Sequence, residues 1–275
     1  MVTSNGALTR RLSGIAAVIG AALALAPAWP AIAQEQKLPT AEKVLDKTIL
    51  AQGGREAFEK LQSRMSKGTL EISVGQRTMK GTIVRYEADP DLSFVEVKLP
   101  GPVIQKFGSD GFVYWEINQP GKTRILEGEE REISARRNRF NAQLHWRDLY
   151  EKVECVGKEE FAGRPCVKVV LTPRVGQPVT WYYDWMNGLP LGYEEVRKGE
   201  QGDMLVRVQF EDYREVDGVK LPFRQRRSNT GDGQTTTLIY TYEIIEHNKV
   251  PAEQFALPEE IKKLRESGEK PPESS

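Results

Sequence analysis

The chain of 275 residues carries only two histidines, His145 and His247, and two cysteines, Cys155 and Cys166. The side chains that most often bind metals or act as nucleophiles are therefore few and far apart. A zinc site needs His and Cys ligands at short set spacings, and neither histidine has a second ligand so placed. The sequence shows no Gly-x-Ser-x-Gly elbow, no cysteine near a credible histidine base and no glycine-rich phosphate loop. His145, next to Trp146, reads as a packing residue. A pair of carboxylates able to cleave a glycosidic bond stays open, because residues that meet in space need not be close in sequence. Arg136, Arg137 and Arg139 would suit a phosphate head group, and would equally suit the solvated face of a helix. No catalytic residue, metal ligand or cofactor is expected.

The sequence offers apolar surface instead. Val179, Trp181, Tyr183 and Trp185 fall on one face by the two-residue period of a strand, with Thr180, Tyr182 and Asp184 on the other. Asn187-Gly188 then supplies the positive φ of a tight hairpin turn into a strand over 189–196. Phe210 shares a face with Met204, Val206 and Val208, and Trp115 shares one with Val113 and Ile117. Taken with Leu238 and Tyr240, the residues Trp115, Trp181, Tyr183 and Phe210 are the candidate wall of a ligand cavity. Alternation fixes their sides only, so the same six would equally pack a dry core.

The elements that must position them begin with a helix over 41–52, capped by Thr40, striped by Val44, Leu45, Thr48 and Ile49, and stopped by Gly53-Gly54. A short helix over 55–62 buries Phe58 and Leu61. Strand signals follow at 68–74, 78–88, 94–99 and 112–117. Between 129 and 150 the period becomes helical, and Ile133, Phe140, Leu144 and Trp146 form the apolar side of a lid or plug. Seven further strands are expected at 152–160, 165–172, 179–185, 189–198, 204–216, 219–227 and 235–246. The segment 251–264 packs Phe255 and Leu257 and ends in a short helix from Pro258. About eleven strands are roughly twice the mean sheet, and a twisted sheet of that size curls. The fold class is mainly antiparallel β with helices (α+β): an incomplete, strongly curved β-barrel with a helical lid and an N-terminal helix.

At the N-terminus, Arg10-Arg11, an apolar run over 15–28 and Ala31-Ile32-Ala33 read as an export signal over 1–33, cleaved after Ala33. A single domain over 34–264 and a disordered polar tail over 265–275 complete the chain. Without Arg10 and Arg11 the 39 basic residues fall to 37 against 39 acidic, a charge of −2, which argues against nucleic acid as a partner. Export implies an oxidising compartment, yet a hairpin turn at 161–164 sets Cys155 opposite about Val170, four residues along the strand from Cys166. At ~3.3 Å per residue the two are roughly 13 Å apart, beyond the ~7 Å reach of a disulfide, so both thiols are expected free.

Trp181-Tyr182-Tyr183-Asp184 with Gly188-Leu189-Pro190, and then Phe210-Glu211-Asp212-Tyr213 running through Asp217-Gly218-Val219-Lys220-Leu221-Pro222, resemble the LolA-like outer-membrane lipoprotein-sorting proteins. Ala41-Glu42-Lys43-Val44-Leu45 and Phe255-Ala256-Leu257-Pro258 are also similar to that family. The resemblance implies an incomplete antiparallel barrel closed by helices. It further implies a hydrophobic cavity that shields the acyl chains of a lipoprotein or lipid across the periplasm, with transport partners in the inner and outer membranes. The expected molecule is a monomeric, soluble periplasmic carrier with no lipid anchor. A sensor using the same concavity and a periplasmic hydrolase built on the same sheet are the alternatives.

Overall fold

Long apolar alternation produces strands, and strands dominate the computed structural model, which describes residues 37–118, 122–199 and 202–267. The expected export signal and positions 268–275 lie outside the described residues. Two helices come first, α1 (Ala41–Ala51) and α2 (Arg55–Glu59). Thr40 caps α1, its hydroxyl oxygen accepting from the Lys43 backbone N–H at 3.4 Å. The second helix stops at Glu59 rather than 62, in a turn where the Leu61 N–H donates to the Phe58 carbonyl.

A meander of six strands follows: β1 (Ser63–Val74), β2 (Arg77–Ala88), β3 (Leu92–Lys98), β4 (Ile104–Ser109), β5 (Tyr114–Asn118) and β6 (Lys122–Leu126). Helix α3 (Gly128–Asn138), a 3₁₀ turn over Ala142–Leu144 and α4 (Trp146–Leu149) interrupt it. A second meander then runs β7 (Lys152–Phe161), β8 (Arg164–Thr172), β9 (Val179–Asp184), β10 (Pro190–Arg197), β11 (Met204–Val216), β12 (Val219–Gly231) and β13 (Gln234–His247). All pairings are antiparallel, and β1 with β13 joins the two meanders into one 13-stranded sheet. Its edges are β6 and β7, consecutive in sequence, and the α3–α4 segment is the only covalent link between them.

This is the incomplete curved barrel of the sequence pattern, with two more strands. Those are β4 and β6; β4 mixes apolar and polar residues on both faces and β6 is five residues long, so neither shows a clean alternation. The helix expected over 129–150 is broken, since Asn141 takes a left-handed φ of 49°. No side chain of α3 is buried. Ile133 accordingly sits beside the Gly176 loop and outside the main core, whereas Phe140, Leu144 and Trp146 belong to that core. The β9–β10 loop spans 185–189 rather than two residues, because the Asp184 carboxylate accepts from the backbone N–H groups of Met186 and Asn187 at 2.8 and 2.9 Å. Cys155 pairs across the ladder with Val169 and Cys166 with Glu159, and both thiols are free.

The main core fills part of the inner face. Leu70, Ile83, Val95 and Val97 of the first meander meet Val167, Val169 and Leu171 of the second around Val44, Leu45 and Ile49 of α1, with the lid residues Phe140, Leu144 and Trp146. Each such side chain contributes roughly 1.5–3 kcal/mol when fully buried. Polar contacts seat α1 at the turn ends of the sheet: the Thr48 hydroxyl donates to the Gly188 carbonyl at 2.6 Å, and the Lys220 N–H donates to the Gln52 carbonyl at 2.8 Å. On the first meander's far side, a 3₁₀ turn over Ala252–Phe255 contacts β3, and α5 (Glu259–Ser267) contacts β6, burying Phe255 and Ile261. Helix α5 reaches three residues into the stretch expected as a polar tail, 265 to 267.

Gly53 ends α1 at φ +124°, and a Cβ there would lie 2.1 Å from the Gly218 carbonyl oxygen in the β11–β12 turn. Gly54 is equally left-handed at φ +87° but has nothing within 4 Å. Gly54→Ala should therefore cost only backbone strain, about 1–3 kcal/mol, and Gly53→Ala distinctly more in urea denaturation. Equal losses would show that the approach of α1 to that turn carries no energy.

Candidate functional site

Residues paired across antiparallel strands share a face, so the ladders trace rows across the sheet. One inner-face row runs from Met79 through Ile72, Leu238, Arg227, Val208, Tyr193, Trp181 and Val169 to Cys155. A neighbouring row contains Leu70, Tyr240, Gln225 and Phe210. Trp181, Phe210, Leu238 and Tyr240 thus occupy one continuous surface, and Trp181 lies 4.9 Å from the ring centroid of Tyr193 and 6.0 Å from that of Phe210. Tyr183 is on the same face, stacked at 6.1 Å from Trp181, but deeper and buried in the main core. Trp115 is elsewhere. It alternates onto the outer face with Phe94 and Tyr86, on the side of the C-terminal segment, and is 2% exposed. A face-fixing period gives no sign of which face curls inward, and Trp115 does not share the inner face with the other five candidates.

Exposure separates two halves of the inner face. The half under α1 and the lid residues is buried, whereas Ile72, Trp181, Tyr193, Phe210, Leu238 and Tyr240 are each half-buried and Met79 is 46% exposed. An open apolar trough remains, with the indole N–H of Trp181 buried in it and without a partner. Two pockets are lined by other residues. One of about 440 Å³ sits between α3, α4 and the β8–β9 loop, lined by charged groups including Arg131, Arg136, Arg139, Arg174 and Asp148; a smaller one of about 190 Å³ sits between α1 and Trp185. A trough open along its length encloses no volume, so side-chain exposure is the measure that finds it.

No protein-family model matches the sequence, and no curated protein matches it. Solved structures do. A DUF1329 family protein from Desulfovibrio piger ATCC 29098 superposes with a TM-score of 0.55 at 13% identity, covering 78% of this chain and 97% of that one. A LolA superfamily protein from Nitrosomonas europaea gives 0.52 at 14%, covering 80% and 99%. A putative outer membrane lipoprotein-sorting protein domain from Vibrio parahaemolyticus gives 0.50 at 14%, covering 80% and 96%. The fold is LolA-like.

In this LolA-like half-barrel two polar clusters tie the lid segment to the sheet. Arg137 of α3 reaches the buried Glu195 of β10 at 2.9 Å, and Arg197 holds the other carboxylate oxygen at 2.5 Å. Burial pushes the Glu195 carboxyl up, but Arg197 and Arg137 outweigh it and hold it below the ordinary value. At the other end, Arg64 donates to Asn141 Oδ1 at 2.9 Å and lies 5.2 Å over the Phe140 ring, while Asn141 donates to the Phe58 carbonyl. Arg64 also donates to His247 Nε2 at 3.2 Å. Arginine has no acceptor, so that nitrogen must be unprotonated and the ring proton sits on Nδ1, donating to Asp217 at 2.9 Å. Spacing in the sequence gave no hint of either cluster, since Arg137 is 58 residues from Glu195, and Arg64 is 77 from Asn141 and 183 from His247. Among the described residues no three His, Cys, Asp or Glu side chains gather as a metal site.

Burial and the Arg64 charge outweigh the Asp217 hydrogen bond and push the His247 imidazole below its ordinary value. The unfolded chain then takes up a proton that the folded one refuses, so stability falls as pH drops through about 6.5 toward the folded value. Denaturation midpoints between about pH 7 and pH 5 should show this slope, and His247→Gln should flatten it. An unchanged slope in the variant would show that His247 does not titrate between the two states.

Proposed function

We propose that this protein is an exported carrier that shields the acyl chains of a lipoprotein or lipid in the trough on the inner face of the half-barrel. The observation that carries this reading is the group of half-buried apolar side chains Ile72, Trp181, Tyr193, Phe210, Leu238 and Tyr240 on an inner face that the helices cover only in part. Acyl binding is driven by area, at about 25 cal/mol per Å² and about 0.8 kcal/mol per buried CH₂, so an apolar trough suffices and no catalytic group is required. A solved structure of the same fold is described as a lipoprotein-sorting domain, which supports the class of cargo. Among the described residues no helix is long and apolar enough to cross a membrane. The Arg10-Arg11 signal pattern supports export to the periplasm, where membrane-bound donor and acceptor complexes would load and unload the carrier.

Native mass spectrometry with organic extraction, on protein purified from its own periplasm without detergent, should reveal a bound mass in the phospholipid or acylated-peptide range. Empty protein that also fails to take up a fluorescent acyl probe would overturn the proposal. With the same probe, Trp181→Ala should weaken binding about tenfold, whereas Trp115→Ala should leave affinity intact and cost about 3–5 kcal/mol of stability. The reverse pattern would place the binding surface on the outer face.

A further inference from the structure

An apolar trough that served only hydrocarbon would have no use for charge, yet two guanidinium groups project from its floor. Arg227 stands in the apolar row between Val208 and Leu238. Its Nε donates to the neutral Asn229 at 2.8 Å, and it forms no ion pair among the described residues. Arg85 is on the same inner face, two residues from the core residue Ile83; 38% of its side chain is exposed, and its Nε is buried without a partner. Tyr193 and Tyr240 act electrostatically on both guanidiniums, although β2 and β10 are five strands apart in the sheet.

The acids nearby do not balance this charge. Glu87 is shared at 3.6 and 3.8 Å by Arg85 and Arg64, and Glu195 is already held by Arg137 and Arg197. Three arginines, Arg137, Arg197 and Arg227, therefore meet one carboxylate, Glu195, and Arg85 shares Glu87 with Arg64, so Arg227 has no anionic partner of its own. A like charge from Arg197 adds to the burial of Arg227, and both push its guanidinium down from the usual value without discharging it. Tyr193 and Tyr240 make no hydrogen bond through their hydroxyls among the described residues, which leaves two neutral donors beside the cations. Burial holds the Tyr193 phenol up, so it keeps its proton at neutral pH.

We infer that the ligand is an anionic amphiphile whose carboxylate or phosphate head group lies inside the concavity against Arg227, with Arg85 adding positive charge from β2, and its chain along the row from Val208 through Tyr193 to Trp181. This inference rests on the acyl-carrier reading and names the class of its cargo. Charge-assisted hydrogen bonds to guanidinium are short and strong, and in this setting an anion also relieves an unpaired cation.

Calorimetric titration of the mature protein with four twelve-carbon amphiphiles below their micellar concentrations tests it: dodecanoate, dodecyl phosphate, dodecanol and dodecyltrimethylammonium. Both anions should bind at least about tenfold more tightly than the alcohol, with the cation weakest, and the tighter anion identifies carboxylate or phosphate as the head group. Arg227→Gln, alone and with Arg85→Gln, should remove the preference and leave dodecanol binding unchanged, while Arg227→Lys should keep most of it. Dodecanol binding as tightly as both anions to the unaltered protein would overturn the anionic assignment and leave the acyl trough standing. Binding of none of the four would overturn the carrier reading itself. Because the head-group series is read on the natural protein, it decides the matter even where a variant fails to fold.

Discussion

One ladder that is present and one that is missing shape this molecule. Eleven residue pairs between β1 and β13 join the first meander to the second, so all thirteen strands form one sheet. Between β6 and β7 no ladder forms, and the chain crosses that gap as helix α3, a 3₁₀ turn and α4. A curled sheet has a concave apolar face that must be covered or left wet, and among the described residues α1, α2 and the segment crossing the gap cover part of it. The register break at Lys67/Gly68 helps β1 follow the curl. A side chain at Gly68 would strike the Thr241 carbonyl oxygen at 2.0 Å.

The cover is incomplete, and the incompleteness is organised. Phe140, Leu144 and Trp146 enter the core with α1, so the lower inner face is a dry packed interior. Helix α3, by contrast, buries none of its side chains and is held at the sheet by polar contacts, chiefly Arg137 with Glu195. Apolar burial fixes a segment permanently, whereas a charged pair with one half-exposed partner holds it more weakly. The rows beside that contact, from Trp181 to Ile72, keep their apolar surface partly in water. Such exposure is unfavourable for the protein alone, and an apolar ligand laid along it would remove that cost.

Much of this was legible in the sequence. Two-residue alternation in Val179–Asp184 and in Met204–Val216 gave the strands and the faces of Trp181, Tyr183 and Phe210, and Thr40 with Gly53-Gly54 bracketed α1. Less was legible where local signals conflict or are short. Asn141 breaks the lid with a left-handed backbone that an apolar pattern does not reveal, and β6 is too brief to show a period. Trp115 marks the firmest limit, because alternation names two faces without saying which one the curl turns inward. Arg85, Arg227 and Tyr193 were unreadable for the same reason: strands five apart share one concave face only because the sheet curls.

The central claim, that the uncovered half of the inner face is a ligand surface, is tested most directly by tryptophan quenching with a bromine-labelled acyl chain. Two variants are compared, one retaining Trp181 as the sole tryptophan among the described residues and one retaining Trp115. Bromine quenches only on contact, so the account predicts strong, saturable loss of Trp181 emission and none of Trp115 emission. Quenching of Trp115 alone, or of neither, would mean that the trough does not hold the chain.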